Sequence, residues 1–228
     1  MPTHRLKCRL HPRHDVVVAG DTGDTPAQLE FVLDIVVDDA LAEAALSVLR
    51  LDRLHLLPTG QAWHKSRVLT PAEHRLSMCQ LAFGDLPYTR IDSREVRRQG
   101  PSYTADTLAE LRREYPQAEL FLVLGADQLL AFRQWVRWQE VVSLATLAVA
   151  ARARSIGGQA LDAPPEEADL SGVDLPFVGL TMPLNPVSAT AVRARLAAVG
   201  PDAAALDVLV PAPVASYISQ NHLYQTPT

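Results

Sequence analysis

The feature that most constrains this chain is the apolar run Leu120–Leu124, which ends at Gly125. A short run without polar residues that ends in glycine is typical of a strand buried on both faces of a parallel sheet. Similar runs recur along the chain and alternate with amphipathic segments of helical period. Alternating β and α units favour a parallel sheet with helices on both faces, so we predict an α/β fold.

The pattern predicts strands at Asp15–Gly20, Leu54–Leu57, Thr89–Asp92, Leu120–Gly125 and Phe177–Met182. It predicts helices at Leu41–Leu51, from Thr70 to about Phe83, and at Thr104–Tyr115, Ala189–Val199 and Ala212–Asn221. The order Thr70-Pro71-Ala72-Glu73 predicts a capping box, with Thr70 at the N-cap and Pro71 as the first helical residue. Val141–Ala151 fits either a helix or a strand, because periodicity does not separate the two.

Composition narrows the class of protein. The chain has 228 residues, which favours one domain, and we expect a mobile basic arm at 1–14 and a single domain at 15–228, atypical over 15–40. A net charge of −5 argues against a broad nucleic-acid surface. Two cysteines indicate a reducing compartment, and no apolar run is long enough to span a membrane, so we expect a cytoplasmic protein.

Polar residues that follow predicted strands are the first candidates for a site, because ligands bind at the carboxyl ends of parallel strands. His64 and Lys65 follow the second strand and could meet an anion, although such a pair is also common on a solvated surface. Gly125 allows close approach of a ligand to the backbone, and Asp127 could accept hydrogen bonds from ribose hydroxyls or simply cap a helix.

Two predicted helix starts carry hydroxyl residues, and helix starts attract carboxylates and phosphates. Ser102, Tyr103 and Thr104 begin one of them; plain capping is the alternative. Ser188 and Thr190 begin the other, with Arg193 one turn further on. This arrangement fits a triphosphate clamp, and a capped helix with an exposed arginine fits equally well. Trp135 and Trp138 could stack on a flat ring, or could belong to the core as a pair on one helix face.

Taken together and in this order, these segments resemble the bacterial nicotinate-nucleotide adenylyltransferases, which have a Rossmann-like nucleotidyltransferase fold. The resemblance extends from about Leu41 to Tyr224. It is carried by Leu56-Leu57-Pro58-Thr59-Gly60-Gln61-Ala62-Trp63-His64-Lys65, Glu73-His74-Arg75-Leu76-Ser77-Met78, Gly100-Pro101-Ser102-Tyr103-Thr104-Ala105-Asp106-Thr107-Leu108, Leu124-Gly125-Ala126-Asp127-Gln128-Leu129, Trp135 to Trp138, and Val187-Ser188-Ala189-Thr190-Ala191-Val192-Arg193.

The resemblance implies adenylyl transfer from ATP to nicotinate mononucleotide, with Mg²⁺ assistance, to give deamido-NAD and pyrophosphate in NAD biosynthesis. It assigns Ser188, Thr190 and Arg193 to the ATP phosphates, and Gly125 and Asp127 to the ribose. The net charge and the short apolar runs argue against nucleic-acid and membrane partners, and the sequence carries no signal of oligomeric state.

On the acceptor side, the resemblance assigns Lys65, with His64 beside it, to the mononucleotide phosphate. It places Ser102, Tyr103 and Thr104 by the nicotinate carboxylate, and it implies that Trp135 stacks on the pyridine ring.

One departure from the family concerns catalysis. The family's first strand continues into Gly-Gly-x-Phe-Asp-Pro and His-x-Gly-His, whose histidines stabilise the transition state, whereas this chain has no histidine between His14 and His55. Gly20 and Thr22 are weakly similar to that loop and are assigned to ATP, and no catalytic residue is assigned. The chain has either lost the catalytic loop or carries about forty residues from another reading frame. The abrupt onset of similarity near Leu41 favours the second explanation.

Two other functions stay open. The first is a catalytically silent nucleotide-binding member of the family, which the missing histidines allow. The second is an adenylyltransferase with another acceptor, such as phosphopantetheine, against which the Pro101–Thr104 segment and Trp135 both argue.

Overall fold

A computed structural model describes residues 14–19, 39–60, 70–150, 169–181 and 210–224. Its strands are β1 (His14–Ala19), β2 (Arg53–Leu57), β3 (Thr89–Ile91), β4 (Glu119–Gly125), β5 (Thr146–Ala150) and β6 (Phe177–Leu180). Its helices are α1 (Asp39–Leu49), α2 (Ala72–Phe83), α3 (Arg94–Arg97), α4 (Thr104–Glu114), α5 (Ala126–Ala131), α6 (Trp138–Leu144) and α7 (Ala212–Gln220), with a 3₁₀ turn at Phe132–Gln134.

The six strands form one parallel sheet in the order β3-β2-β1-β4-β5-β6. This is the strand order of a doubly wound nucleotide-binding sheet. The predicted α/β fold is therefore confirmed. The register sets Ala19 of β1 beside Leu57 of β2, and Val17 beside Leu122 of β4. β1 thus lies at the centre of the sheet.

Alternate side chains of each strand face opposite layers of helices. One face packs against α4, α5 and α6 through residues that include Leu57, Leu122 and Leu124. The other face packs against α1 and the end of α2, through Leu54, Leu56, Phe121 and Val123. Burial of both faces explains why Leu120–Leu124 has no polar residue. A third apolar contact joins α2 to α7, through Met78, Val214, Ala215 and Ile218.

Two predictions about local structure need correction. The capping box at Thr70 is wrong: the helix begins at Ala72, Pro71 occupies the N-cap position with extended backbone, and no side chain caps the helix. The carbonyl oxygen of Thr70 instead accepts a hydrogen bond from Arg75, 3.1 Å away. Val141–Ala151 contains both elements, because α6 ends at Leu144, the backbone is extended at Ala145, and β5 begins at Thr146.

Several predictions lie outside the described residues. These are the basic arm over 1–13 and the helix at Ala189–Val199. No helix in the described part of the chain combines the length and the apolar character that crossing a bilayer requires.

Candidate active site

The crevice at the carboxyl ends of β1 and β4 is the candidate site. The chain leaves β1 toward β2 on one side of the sheet, whereas β4 lies on the other side, so the direction of winding changes between β1 and β4. Ligands of doubly wound proteins bind at such a switch point. Gly125 ends β4 at this crevice, and the backbone of Asp127 lies in the first turn of α5. The structure thus places two candidate nucleotide-binding residues at this edge.

Ser102, Tyr103 and Thr104 lie where α4 begins, as predicted. Tyr103 occupies the N-cap position with extended backbone, Thr104 is the first helical residue, and no side chain makes a capping hydrogen bond. Ser102 and Thr104 are 4% and 3% exposed. The Ser102 hydroxyl lies 3.5 Å from the carbonyl oxygen of Glu95. Side-chain capping does not explain these hydroxyl residues, so the capping alternative is not supported.

Glu95 is a buried carboxylic acid beside this helix start, and no sequence pattern predicted its burial. It is 1% exposed, and one carboxyl oxygen accepts a 2.7 Å hydrogen bond from the Thr107 hydroxyl. Burial raises the pKa of Glu95 to about 7, although the Thr107 hydrogen bond and the charge of Arg98 act in the opposite direction. Glu95 therefore titrates near neutral pH in contact with Thr107, in the first turn of α4.

We expect the buried carboxyl of Glu95 to make the protein less stable as the pH rises. The folded-state pKa lies above the ordinary value of 4.5, so between those values the folded state holds more protons than the unfolded state. Ionising the buried group costs on the order of 3 kcal/mol. Denaturant unfolding at pH 5 and pH 8 should show Glu95→Gln gaining stability relative to the native chain by up to about this amount.

The exposed carboxyl of Glu43 in α1 supplies the matched control for that experiment. Glu43→Gln should leave the pH dependence of the unfolding free energy unchanged. An equal pH dependence in the native chain and in Glu95→Gln would contradict the assignment to Glu95.

Asp92 follows β3 and anchors a charged network between this edge strand and α4. Its carboxylate accepts hydrogen bonds from His55 at 3.2 Å and from the Arg94 guanidinium at 2.7 Å. Arg94 also bonds Glu114 near the end of α4, at 2.9 Å. Burial alone would raise the pKa of Asp92, but the hydrogen bonds from His55 and Arg94 outweigh it and hold the pKa well below the ordinary range. The network fastens β3 to α4.

Trp135 is largely enclosed in this structure. It is 4% exposed, packs with Phe132 and other core residues, and its indole nitrogen has no hydrogen-bond partner among the described residues. Trp135 and Trp138 do not share a helix face, because Trp135 has extended backbone after the 3₁₀ turn and Trp138 begins α6. Both tryptophans belong to the core, as the alternative predicted, but the prediction that they pair on one helix face is wrong. Stacking by Trp135 stays a prediction and requires its ring to be uncovered.

The remaining predicted site residues lie outside the described part of the chain. They are Gly20, Thr22, His64, Lys65, Ser188, Thr190 and Arg193. The structure adds three residues near the site that the sequence analysis did not select as functional: Arg75, Asp92 and Glu95.

The sheet order and the switch-point crevice define a nucleotide-binding α/β protein.

Comparison with known proteins identifies the family within this class. The cytidylyltransferase-like family model matches residues 40–195. A protein of Albidiferax ferrireducens named "Probable nicotinate-nucleotide adenylyltransferase" is 49% identical over 82% of this chain and 90% of its own length. A protein of the same name from Methylibium petroleiphilum is 41% identical over 82% of this chain and 85% of its own length. The chain therefore belongs to the cytidylyltransferase-like family and, within it, to the nicotinate-nucleotide adenylyltransferases.

The fold agrees with solved structures of much lower sequence identity. The Plasmodium falciparum nicotinic acid mononucleotide adenylyltransferase complexed with APC has a TM-score of 0.66 at 14% identity, over 94% of this chain and 98% of that chain. The same enzyme complexed with NaAD has a TM-score of 0.64. The resemblance to an enzyme family and the Rossmann-like fold are both confirmed.

Proposed function

We propose that this chain transfers the adenylyl group of ATP to nicotinate mononucleotide, forming deamido-NAD and pyrophosphate. The observation that carries the proposal is the 49% identity to a relative of that name over 82% of this chain. The parallel sheet and its switch-point crevice support it, because they provide the geometry that nucleotide ligands use.

The reaction needs no protein nucleophile. A phosphate oxygen of the mononucleotide attacks the α-phosphorus of ATP, forming one P–O bond. The bond from the α-phosphorus to the oxygen bridging to the β-phosphorus breaks, and that electron pair leaves with pyrophosphate. The protein's contribution is to align the two phosphates and to stabilise the charge that develops on them.

The proposed site has two halves. ATP lies at the β1–β4 crevice, with Gly125 and Asp127 at the ribose and Ser188, Thr190 and Arg193 at the phosphates. The mononucleotide lies toward β2 and α4, with Ser102 to Thr104 at its carboxylate and His64 and Lys65 at its phosphate. The burial of Ser102 and Thr104 at the start of an eleven-residue helix supports the second half.

We propose that Mg²⁺ enters with ATP as part of the substrate, where it offsets triphosphate charge. Among the described residues, no group of three or more His, Cys, Asp or Glu side chains is arranged to hold a metal ion. We also propose a cytoplasmic location. The two cysteines of the chain support it, because they are too few for the disulfide framework that is common in oxidising compartments.

A catalytically silent nucleotide-binding protein is the second candidate function. One observation favours it: none of the seven histidines of the chain forms a His-x-Gly-His motif. The two candidates differ in turnover and not in binding. Release of pyrophosphate that depends on nicotinate mononucleotide supports the enzyme, whereas binding without release supports the silent protein.

We expect the chain to bind nicotinate mononucleotide more tightly than nicotinamide mononucleotide. Backbone N–H groups and hydroxyls at the start of α4 can donate charge-assisted hydrogen bonds to a carboxylate, and the neutral amide gains less from them. Such bonds are worth about 1.5–3 kcal/mol, so titration calorimetry should show the acid binding about 10-fold or more tightly.

Ser102→Ala tests the location of that preference. It should narrow the acid-over-amide ratio, whereas Ser143→Ala, at an exposed serine of α6, should leave the ratio unchanged. Equal binding of the two mononucleotides by the native chain would contradict the assignment of this pocket.

A further inference from the structure

Arg75 is a deeply buried cation that the proposed chemistry does not use. It lies in the first turns of α2 and is 2% exposed. Its guanidinium donates hydrogen bonds to the carbonyl oxygens of Thr59 and Gly60, the latter at 3.0 Å, and its Nε donates to that of Thr70. A buried cation is stable only where strong acceptors surround it, and these main-chain carbonyls supply them.

Two acceptors of Arg75 lie just beyond the carboxyl end of β2, on the side of the sheet where the site lies. They are Thr59 and Gly60, and the third acceptor, Thr70, precedes α2. Arg75 therefore bonds the described residues on both sides of 61–69, the connection from β2 to α2. The interaction fixes the course of the backbone as it leaves β2.

Gly60 transmits this constraint to the candidate mononucleotide pocket. A Cβ atom at Gly60 would overlap the carbonyl oxygen of Glu95 and would lie 3.1 Å from the hydroxyl oxygen of Ser102. The backbone at Gly60 is thus in close contact with both residues, and only glycine fits. The Ser102 hydroxyl oxygen lies 3.5 Å from the same Glu95 carbonyl oxygen, so Gly60, Glu95 and Ser102 are in mutual contact.

Arg112 provides an internal comparison. Its guanidinium also bonds two main-chain carbonyls, those of Ala118 and Leu144. Those residues precede β4 and β5, so they lie at the amino ends of the strands, whereas the site lies at the carboxyl ends. Arg75 and Arg112 therefore make the same kind of bond at different ends of the molecule, so Arg112 shows the effect of losing such a bond away from the site.

We propose that Arg75 is a positioning residue for the mononucleotide half of the site. By bonding the carbonyls of Thr59 and Gly60, it holds Gly60 against Glu95 and Ser102 and so sets the shape of the pocket for the nicotinate carboxylate. The inference rests on the proposed function. Loss of Arg75 should therefore weaken the binding of nicotinate mononucleotide and not that of ATP, although the Arg75 side chain contacts neither substrate.

The test measures the affinity of each substrate separately. Titration calorimetry with nicotinate mononucleotide and with ATP is applied to the native chain, Arg75→Met and Arg112→Met, with a thermal melt of each. Arg75→Met should weaken mononucleotide binding about 10-fold or more and change ATP binding by no more than about twofold. Arg112→Met should lower the melting temperature and leave both affinities within about twofold of native.

Two further variants keep the test decisive if Arg75→Met does not fold. Arg75→Lys keeps the positive charge, but its single ammonium cannot reproduce the guanidinium fork, so mononucleotide affinity should be only partly retained. Gly60→Ala forces the backbone away from Glu95 and Ser102, so it should weaken mononucleotide binding and leave ATP binding near native.

The outcomes separate the inference from the proposed function. If the native chain binds the mononucleotide and the Arg75 and Gly60 variants weaken both substrates equally, or neither, the positioning role is overturned and the proposed function stands. A native chain that binds no nicotinate mononucleotide overturns both. Loss confined to the mononucleotide in these variants, with Arg112→Met near native, establishes the role.

Discussion

Inserting a Gly-Gly-Thr-Phe-Asp-Pro-Val-His-x-Gly-His segment between β1 and α1 should raise turnover of ATP and nicotinate mononucleotide by a factor of about 10² to 10³ or more. The chain has no histidine between His14 and His55, so no imidazole follows its first strand. Removing one preorganised charge stabiliser from an active site typically slows catalysis by about that factor, and this chain lacks two.

The register of the sheet explains why this position is effective. Ala19 ends β1 beside Leu57 of β2, and β1 also pairs with β4, which ends at Gly125. A segment that follows Ala19 therefore starts at the switch-point crevice, between the two proposed halves of the site. Glycines in that segment let the backbone approach phosphate groups, and its histidines can donate to the developing charge.

The matched control is the same insertion with both histidines replaced by alanine. It should leave turnover near that of the native chain, because it supplies the loop without the imidazoles. Initial rates of pyrophosphate release, measured at saturating substrate concentrations, give the comparison. A native chain that is already as fast as the histidine-containing variant would contradict this explanation, and Gly20 and Thr22 would then be the first residues to examine.

Asp92→Ala should cost about 3–5 kcal/mol of unfolding free energy at neutral pH. The substitution removes the acceptor shared by His55 and Arg94 and leaves their nitrogens poorly paired in a buried region. It also removes the contact between the end of β3 and the network that reaches α4 through Glu114. Urea unfolding monitored by circular dichroism measures the loss.

The effect of Asp92→Ala should depend on pH in a defined direction. The folded-state pKa of Asp92 lies below its ordinary value of 3.8, so the carboxylate stabilises the protein above that value and the contribution is lost as the pH falls further. The difference between native and variant should therefore be largest above about pH 5 and should shrink below about pH 4.

Asp174→Ala is the control, because this fully exposed carboxylate lies 3.8 Å from the Arg133 guanidinium. It should change stability by no more than the error of the measurement. A loss for Asp92→Ala no greater than for Asp174→Ala would show that the buried network contributes nothing.

The order of strands and helices could be predicted because burial on both sides leaves a plain pattern in the sequence. The run Leu120–Leu124 is apolar throughout because its alternate residues face two different layers of helices. Boundaries were less predictable where apolar residues continue from one element into the next, as between α6 and β5. The predicted start of α2 was wrong because Pro71, whose side chain has no hydrogen-bond acceptor, occupies the N-cap position in place of Thr70.

The buried polar residues of the site were harder to predict, because their partners are distant in sequence. Glu95 meets Thr107, and Asp92 meets His55, only after β2, β3 and α4 have assembled. Arg75 did leave a signal. It lies three and four residues before the buried Met78 and Cys79 on the same helical stripe, and a charge on an apolar stripe indicates a specific buried partner.

Product analysis of the native chain with ATP, Mg²⁺ and nicotinate mononucleotide tests the central claim most directly. We predict that deamido-NAD and pyrophosphate accumulate in equal amounts, slowly and in proportion to protein concentration, and that nicotinamide mononucleotide gives much less dinucleotide. Binding of both substrates with no dinucleotide above the protein-free control, or pyrophosphate release with phosphopantetheine as the preferred acceptor, would contradict it.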